Sequence, residues 1–312
     1  MVSGDSAFQK SVRAECCGIG TYFQLHFLIL IFAATTILGK LASTSSSVLM
    51  SWRCLLAALG AFLWVAWMKK DCKLCVGKTE VFKLLGIGAI IGLHWLCLFG
   101  AVKIANVSIA LAGLATLSVF TAFTEPLLTK RRVRPFEVLL GLIVVGGICL
   151  IAGVESAHVL GLFVALLSAL LAAIFMVLNR TVVLGGSDPM VMVGWEMLAA
   201  TFVCLVAVPL FDPSGVQALL VTDPWDWLWI LSLAIVCTVF AQALTNRLLI
   251  KITAYDFNLA ANFEPVYGFI GAALILGEHQ NLRPAFYLGA ATIVLANVLH
   301  PKLQRRFAAK KV

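Results

Sequence analysis

The chain has 312 residues, of which 62% are hydrophobic and 12% charged, with a formal net charge of +8. A soluble domain carries about twice that charged fraction, and no polar helices are present to cover so apolar a core, so a soluble globular protein is excluded. The basic residues sit in short loops between apolar runs rather than on one face, which argues against nucleic acid as a partner.

The apolar residues come in long runs, not in amphipathic stripes. A run of about 20 residues is long enough to cross a hydrocarbon core of roughly 30 Å as a helix. Ten such runs span about 23–42, 48–68, 84–102, 105–128, 136–154, 159–179, 190–210, 226–246, 254–277 and 285–300. A spanning β-barrel would show short alternating segments instead. The prediction is an all-α integral membrane protein with ten transmembrane helices, because only helices and closed barrels satisfy the backbone in lipid. The first run is full-length and has no A-x-A-like site behind it, so it is expected to remain as the first span.

Counted on alternate sides of the ten runs, nineteen of the 23 Lys and Arg residues fall on one side. Excess Lys and Arg marks the cytoplasmic face. Both termini are therefore expected in the cytoplasm, as an N-terminal segment 1–22 and a basic tail 301–312. Five of the nine cysteines lie in apolar runs, where they pack as small apolar residues. The other four, Cys16, Cys17, Cys72 and Cys75, fall on the predicted cytoplasmic side, where no disulfide framework is expected. Adjacent cysteines are poorly spaced as ligands, and no metal site is expected.

Two corners of the sequence repeat. LTKRRVRP (Leu128–Pro135) and GEHQNLRP (Gly277–Pro284) each follow one apolar run and lead into the next. Further pairs follow in order: Leu38-Gly39-Lys40 with Leu178-Asn179-Arg180, Trp52-Arg53 with Trp195-Glu196, and Lys103-Ile104-Ala105 with Lys251-Ile252-Thr253. The chain thus reads as a five-helix repeat, 23–154, followed by a second, 159–300. Five is odd, so the second copy must enter the membrane from the opposite side. Such inverted repeats recur in secondary transporters, with the substrate site near the midplane between the copies.

Ionisable groups at mid-bilayer cost about 2.5–3.5 kcal/mol on insertion scales and are functional candidates by default. Glu264 lies about ten residues into the ninth run, and Pro265 after it cannot donate to the carbonyl of Ala261. Asn258 and Asn262, four apart, share a helical face from which Glu264 points partly away. This wall suits a substrate amine or a proton; the structural alternative is a clamp between helices. Arg53 and Glu196 occupy matched positions with opposite charge. Arg53 suits a carboxylate, Glu196 an amine or a gate, and pairing with nearby charges is the alternative for both. The neighbouring Trp52 and Trp195 read first as interfacial anchors. In the third run Trp95 is a candidate substrate contact and His94 a candidate for gating or coupling, although a lone histidine is more often a hydrogen-bonded helix contact. Glu125 lies near Arg131 and Arg132 and reads as a rim ion pair or an inner gate. Ser118, Thr121 and Glu125 share one helical face, as do Gln242 and Asn246. Gly88-x-x-x-Gly92 allows close helix packing and does not specify an oligomer.

In these residues the chain resembles the drug/metabolite transporter superfamily, in its ten-helix EamA branch, over about residues 23–300. The segment NLAANFEPVYGFIGAALILGEHQ (Asn258–Gln280) follows that family's EPV…GE pattern, and GLHWLCLFGAVKIANVSIAL and FTAFTEPLLTKRR look like its bacterial members. The fourth run departs from the repeat: it has Ala115-Thr116 where the ninth has Glu264-Pro265, and its own Glu125-Pro126 comes about ten residues later. The resemblance implies a transporter, usually an exporter, of small polar metabolites, in a bacterial inner (plasma) membrane, and it leaves the substrate open.

No catalytic or ATP-binding motif is present, neither HExxH nor a phosphate-cradling glycine loop nor a nucleophile elbow, so no enzyme activity and no cofactor is expected. The expected function is a secondary active exporter of a small polar solute. The matched Arg and Glu and the Asn/Glu wall favour an amino acid or similar zwitterion, with proton coupling and a monomer or weak homodimer. The alternatives are a nucleotide-sugar or organic-anion exchanger, which would need several basic residues at mid-membrane, and a non-transporting or lipid-handling membrane protein.

Overall fold

The computed structural model describes residues 19–68, 77–105, 110, 113–152, 159–264, 266–268, 270 and 284–309. Among the described residues there is no strand. The helices are α1 (Ile19–Leu41), α2 (Ser46–Met68), α3 (Lys78–Ile104), α4 (Leu117–Thr129), α5 (Pro135–Ala152), α6 (Val159–Leu184) and α7 (Pro189–Phe211). They continue as α8 (Pro224–Lys251), α9 (Ala254–Ala261) and α10 (Pro284–Ala309). Local chemistry sets several starts. Pro189 opens α7, and Asp188 before it accepts from the Met190 and Val191 N–H groups at 2.9 and 3.3 Å. Thr253 and Asp256 cap α9 reciprocally.

Among the described residues, five helices are long and apolar enough to cross a membrane: α2, α3, α6, α7 and α8. Shorter apolar stretches lie in α1, α5 and α10. The fourth and ninth runs do not form the continuous helices expected of them. In the fourth, Ala110, Gly113 and Leu114 are helical, and α4 starts at Leu117 after a turn closed by the Thr116 N–H and hydroxyl on the Gly113 carbonyl at 3.1 and 2.7 Å. In the ninth, α9 closes at Ala261 with Asn262 as its cap, and helical backbone resumes at Phe263. A helix continued past this point would pair the Ala261 carbonyl with the N–H that residue 265, a proline, lacks. At its far end the chain stays helical to Ala309, through most of the segment read as a separate tail.

The surface exposes large apolar side chains, and an interior that is itself mostly apolar also holds buried polar and charged side chains. Phe23, Trp67, Leu127 and Phe211 are exposed, whereas Arg53, Glu196, Asn179, Asn246 and Asn258 are buried. Contacts between helices survive an exchange of the two halves. The pairs α2–α7 and α5–α10 join like with like, and α3 packs on α6 and α7 as α8 packs on α1 and α2. One close approach of this kind uses Gly88 and Gly92 of α3. A Cβ on Gly88 would collide with the Glu196 carbonyl oxygen on α7, and one on Gly92 would lie 3.1 Å from the Ala200 Cα. The G-x-x-x-G pair is therefore spent inside the fold.

Candidate functional site

The site is built around an irregularity in α8. Its α-helical segments Pro224–Ala234 and Ala241–Lys251 are joined by a π turn, Ile235–Phe240. A π turn breaks the regular i→i−4 ladder and is frequent at functional sites. Arg53 of α2 enters there. Its Nη2 donates to the Cys237 carbonyl at 3.1 Å and its Nε to the Thr238 hydroxyl at 2.7 Å. The Thr238 proton is itself committed to the Leu233 carbonyl, five residues back, at 2.8 Å. The guanidinium carbon lies 4.4 Å from the centroid of the Trp95 ring. Arg53 is 2% exposed and forms no ion pair with any described carboxylate. A carbonyl, a hydroxyl and a ring face compensate its charge instead.

His94, beside Trp95 on α3, is tied to α6. Its Nδ1 is 2.9 Å from the Ser168 carbonyl oxygen and 2.8 Å from the Ser168 hydroxyl, which donates back to the His94 carbonyl at 3.0 Å. With that hydroxyl proton committed, Nδ1 is the donor.

Arg53, His94 and Trp95 line one cavity of about 100 Å³ together with Gln242, Asn258 and Glu264. Phe32, Phe99, Leu117, Phe175 and Phe257 supply apolar wall. Both repeats contribute. Asn258 and Glu264 are six residues apart and would lie on different faces of a continuous helix, so the break at Asn262 is what lets both reach the cavity. Pro265 lies outside the described residues. A groove of about 580 Å³ on α2, walled by Leu63, Trp64 and Trp67, is larger but lined by apolar side chains and glycine. It belongs to the lipid-facing surface.

Asn262 does not line the cavity. It belongs to a ladder between α4 and α9. The Tyr255 N–H donates to Glu125 at 3.0 Å, the Asn258 amide to Thr121 at 2.8 Å and the Asn262 amide to Ser118 at 3.2 Å. The spacing 118, 121, 125 meets the spacing 262, 258, 255 rung for rung. The Thr121 proton goes to the Leu117 carbonyl at 2.7 Å, so Thr121 can only accept from Asn258. The amide orientation of Asn258 is thereby fixed, and its Oδ1 has no partner among the described residues.

Glu125 stands at the end of this ladder, away from the cavity lining. Arg131 reaches it at 3.5 Å and reaches Glu137 at 2.9 Å, while Arg134 holds Glu137 at 3.2 Å. Of the two arginines expected beside Glu125, Arg131 is the partner and Arg132 is not. Lys130, at φ 55°, makes the left-handed turn that folds the corner back. The tryptophans are held by protein. Trp52 donates to the Leu219 carbonyl at 3.1 Å and meets Trp227 edge-on at 5.0 Å, and Trp195 meets Phe62 edge-on at 5.5 Å. Glu196 is buried beside Asn179 at 3.5 Å and does not line the cavity.

Each end of the bundle carries a serine–carboxylate latch. Ser43, between α1 and α2, donates to Asp226 of α8 from its N–H at 2.8 Å and its hydroxyl at 2.6 Å. Ser187, between α6 and α7, donates to Glu80 of α3. Each latch joins the connection after a repeat's first helix to the start of the other repeat's third helix. Asp226, Glu137, Ser168 and Thr238 were not singled out from the sequence. The roles of Asp226, Ser168 and Thr238 depend on partners more than 70 residues away or on a helix defect, and no local pattern carries either; Glu137 pairs within its own corner, with Arg131 and Arg134.

The sequence matches the EamA-like transporter family twice, over residues 21–153 and 159–299. Among solved structures, a crystal structure 17% identical to the chain superposes with a TM-score of 0.72, covering 92% of this chain and 99% of that one. At that identity the likeness bears on the fold alone. No curated protein matches the chain.

Proposed function

The chain belongs to the EamA-like transporter family, and from that premise we propose that it is a secondary active transporter whose substrate is a small solute carrying an amine, first an amino acid or a close analogue. The family accounts for membrane transport of small solutes; the cavity carries the rest of the reading. At about 100 Å³ it is well below the roughly 300–1,000 Å³ of pockets that enclose drug-sized ligands. Glu264 would take the amine. The Arg53 guanidinium, positioned by Thr238 and Cys237, would set a positive potential for a carboxylate. The Asn258 Oδ1 accepts from the solute, and Trp95 with the phenylalanines covers its apolar part.

In this reading the chain crosses the membrane ten times with both termini in the cytoplasm, in a bacterial inner membrane, and exports its solute. The two latches take turns: one end opens while the other stays shut, and the repeats exchange conformations. A nucleotide-sugar or anion exchanger is the weaker reading, because Arg53 is the lone Lys or Arg among the described residues lining the cavity.

The test is uptake by liposomes holding the purified protein. Wild type should accumulate a labelled amino acid, and Glu264→Gln should lose that uptake while expressing and melting as wild type does. Undiminished uptake by the variant would remove Glu264 from the site. Uptake of phosphorylated sugars in place of amino acids would overturn the substrate class.

A further inference from the structure

Of the buried carboxylates outside the cavity, Glu125 and Glu137 meet arginine and Asp226 meets Ser43, whereas Glu196 meets neither a cation nor a hydroxyl among the described residues. Glu196 of α7 is fully buried; its Oε2 is 3.5 Å from the Asn179 amide nitrogen, and its Oε1 and the Asn179 carbonyl oxygen have no hydrogen-bond partner among the described residues. The α3 backbone closes against it at Gly88. The described titratable groups on the surrounding helices are Arg53 and Cys54 on α2, and Lys78, Glu80, Lys83, His94, Cys97 and Lys103 on α3. To these α6 adds Arg180, and α8 adds Asp226, Cys237, Arg247 and Lys251. Among the described residues none of these pairs with Glu196, and Asn179 is the polar side chain that faces it. An anion with no countercharge in such a place is strongly disfavoured, and the neutral acid is not.

Glu196 is also the counterpart of Arg53. Each stands seven residues beyond the first residue of its helix, Ser46 in α2 and Pro189 in α7. The first repeat fills this place with a permanent cation satisfied by fixed dipoles. The second fills it with a group whose charge a proton can remove.

We propose that Glu196 and Asn179 form a proton site, separate from the substrate cavity, through which transport is coupled to a proton gradient. The proposal rests on the transport reading above. As an anion Glu196 accepts from the Asn179 Nδ2. As an acid it donates its proton to the Asn179 Oδ1 once the amide has turned, which also satisfies that oxygen. In each cycle a proton from water on one side is taken up by the carboxylate and returned to water on the other, with no other bond made or broken.

The experiment compares wild type with Glu196→Gln, which mimics the acid form, in liposomes with a mixture of the twenty labelled amino acids. The variant should keep counterflow at equal pH within about twofold, and lose uptake driven by a pH gradient at least tenfold. Retained gradient-driven uptake, or loss of counterflow as well, overturns the proposal. A second measurement needs no substrate. The infrared carbonyl band of a protonated carboxylic acid should be present in purified wild type near neutral pH and missing from Glu196→Gln in the difference spectrum. No such difference overturns the proton site even if transport is confirmed. A difference with no amino-acid transport keeps the site and overturns the substrate reading instead.

Discussion

Arg53 and Thr238, 185 residues apart, meet at 2.7 Å where the first repeat's second helix enters the π turn of the second repeat's third helix. Two donors of one planar fork reach adjacent residues of that turn, while the same group stacks on Trp95. A lysine carries the charge but not the fork. Arg53→Lys should therefore lose about 1.5–3 kcal/mol of stability, the range for hydrogen bonds to charged groups. Thermal melting in detergent reads this. A double-mutant cycle with Thr238→Val should show coupling of about 0.5–3 kcal/mol, and additive losses would mean that the contact is idle.

Gly88→Ala should destabilise the protein by about 1–3 kcal/mol, as overpacking does, because its Cβ meets backbone of α7 that cannot swing aside. Gly100→Ala on the same helix meets nothing within 4 Å and should melt no lower than wild type. Equal melting of the two variants would show that the α3–α7 contact is looser than described.

The ladder separates two asparagines that look alike in sequence. Asn262→Ala removes a bond to Ser118 outside the cavity and should cost about 1 kcal/mol of stability with KM unchanged. Asn258→Ala also removes an acceptor from the cavity wall and should raise KM. Parallel melting curves and uptake kinetics distinguish the two. A KM shift in the first variant alone would reverse their roles.

Each latch should guard its own end. Asp226→Ala removes two hydrogen bonds on one side, each worth about 0.5–1.5 kcal/mol. A cysteine placed at Thr35, on the cavity wall, should then react about two- to tenfold faster with an impermeant thiol reagent added on that side. Glu80→Ala should give the increase from the opposite side. The same side responding to both would mean that the latches do not gate separate entrances.

Much of the internal architecture was legible because lipid simplifies the code. Polar residues in apolar runs are so few that their spacing is informative: 118, 121 and 125 on one run, 258 and 262 on another. The match of Arg53 with Glu196 was visible for the same reason. Their partners were not. A π turn carries the same apolar composition as an α turn, so nothing in IVCTVF marks the place where Arg53 docks. The ninth run looks continuous by hydropathy, and Asn258 and Glu264 seem to face apart until the helix breaks at Asn262. Arg131 could be told from Arg132 as the partner of Glu125 only once the left-handed turn at Lys130 was known.

The α4–α9 ladder also bears on how the protein is made. Ser118, Thr121 and Glu125 wait for partners 144, 137 and 130 residues further along. At about 5–20 residues per second that is roughly 7–30 s of synthesis, during which a polar stripe on a short helix lacks its mates on α9. In that interval α4 is better sheltered beside the insertion machinery, or in water, than in the fatty core. The first half of the chain is then unfinished until the second emerges, and an isolated first repeat would be a poor candidate for independent insertion.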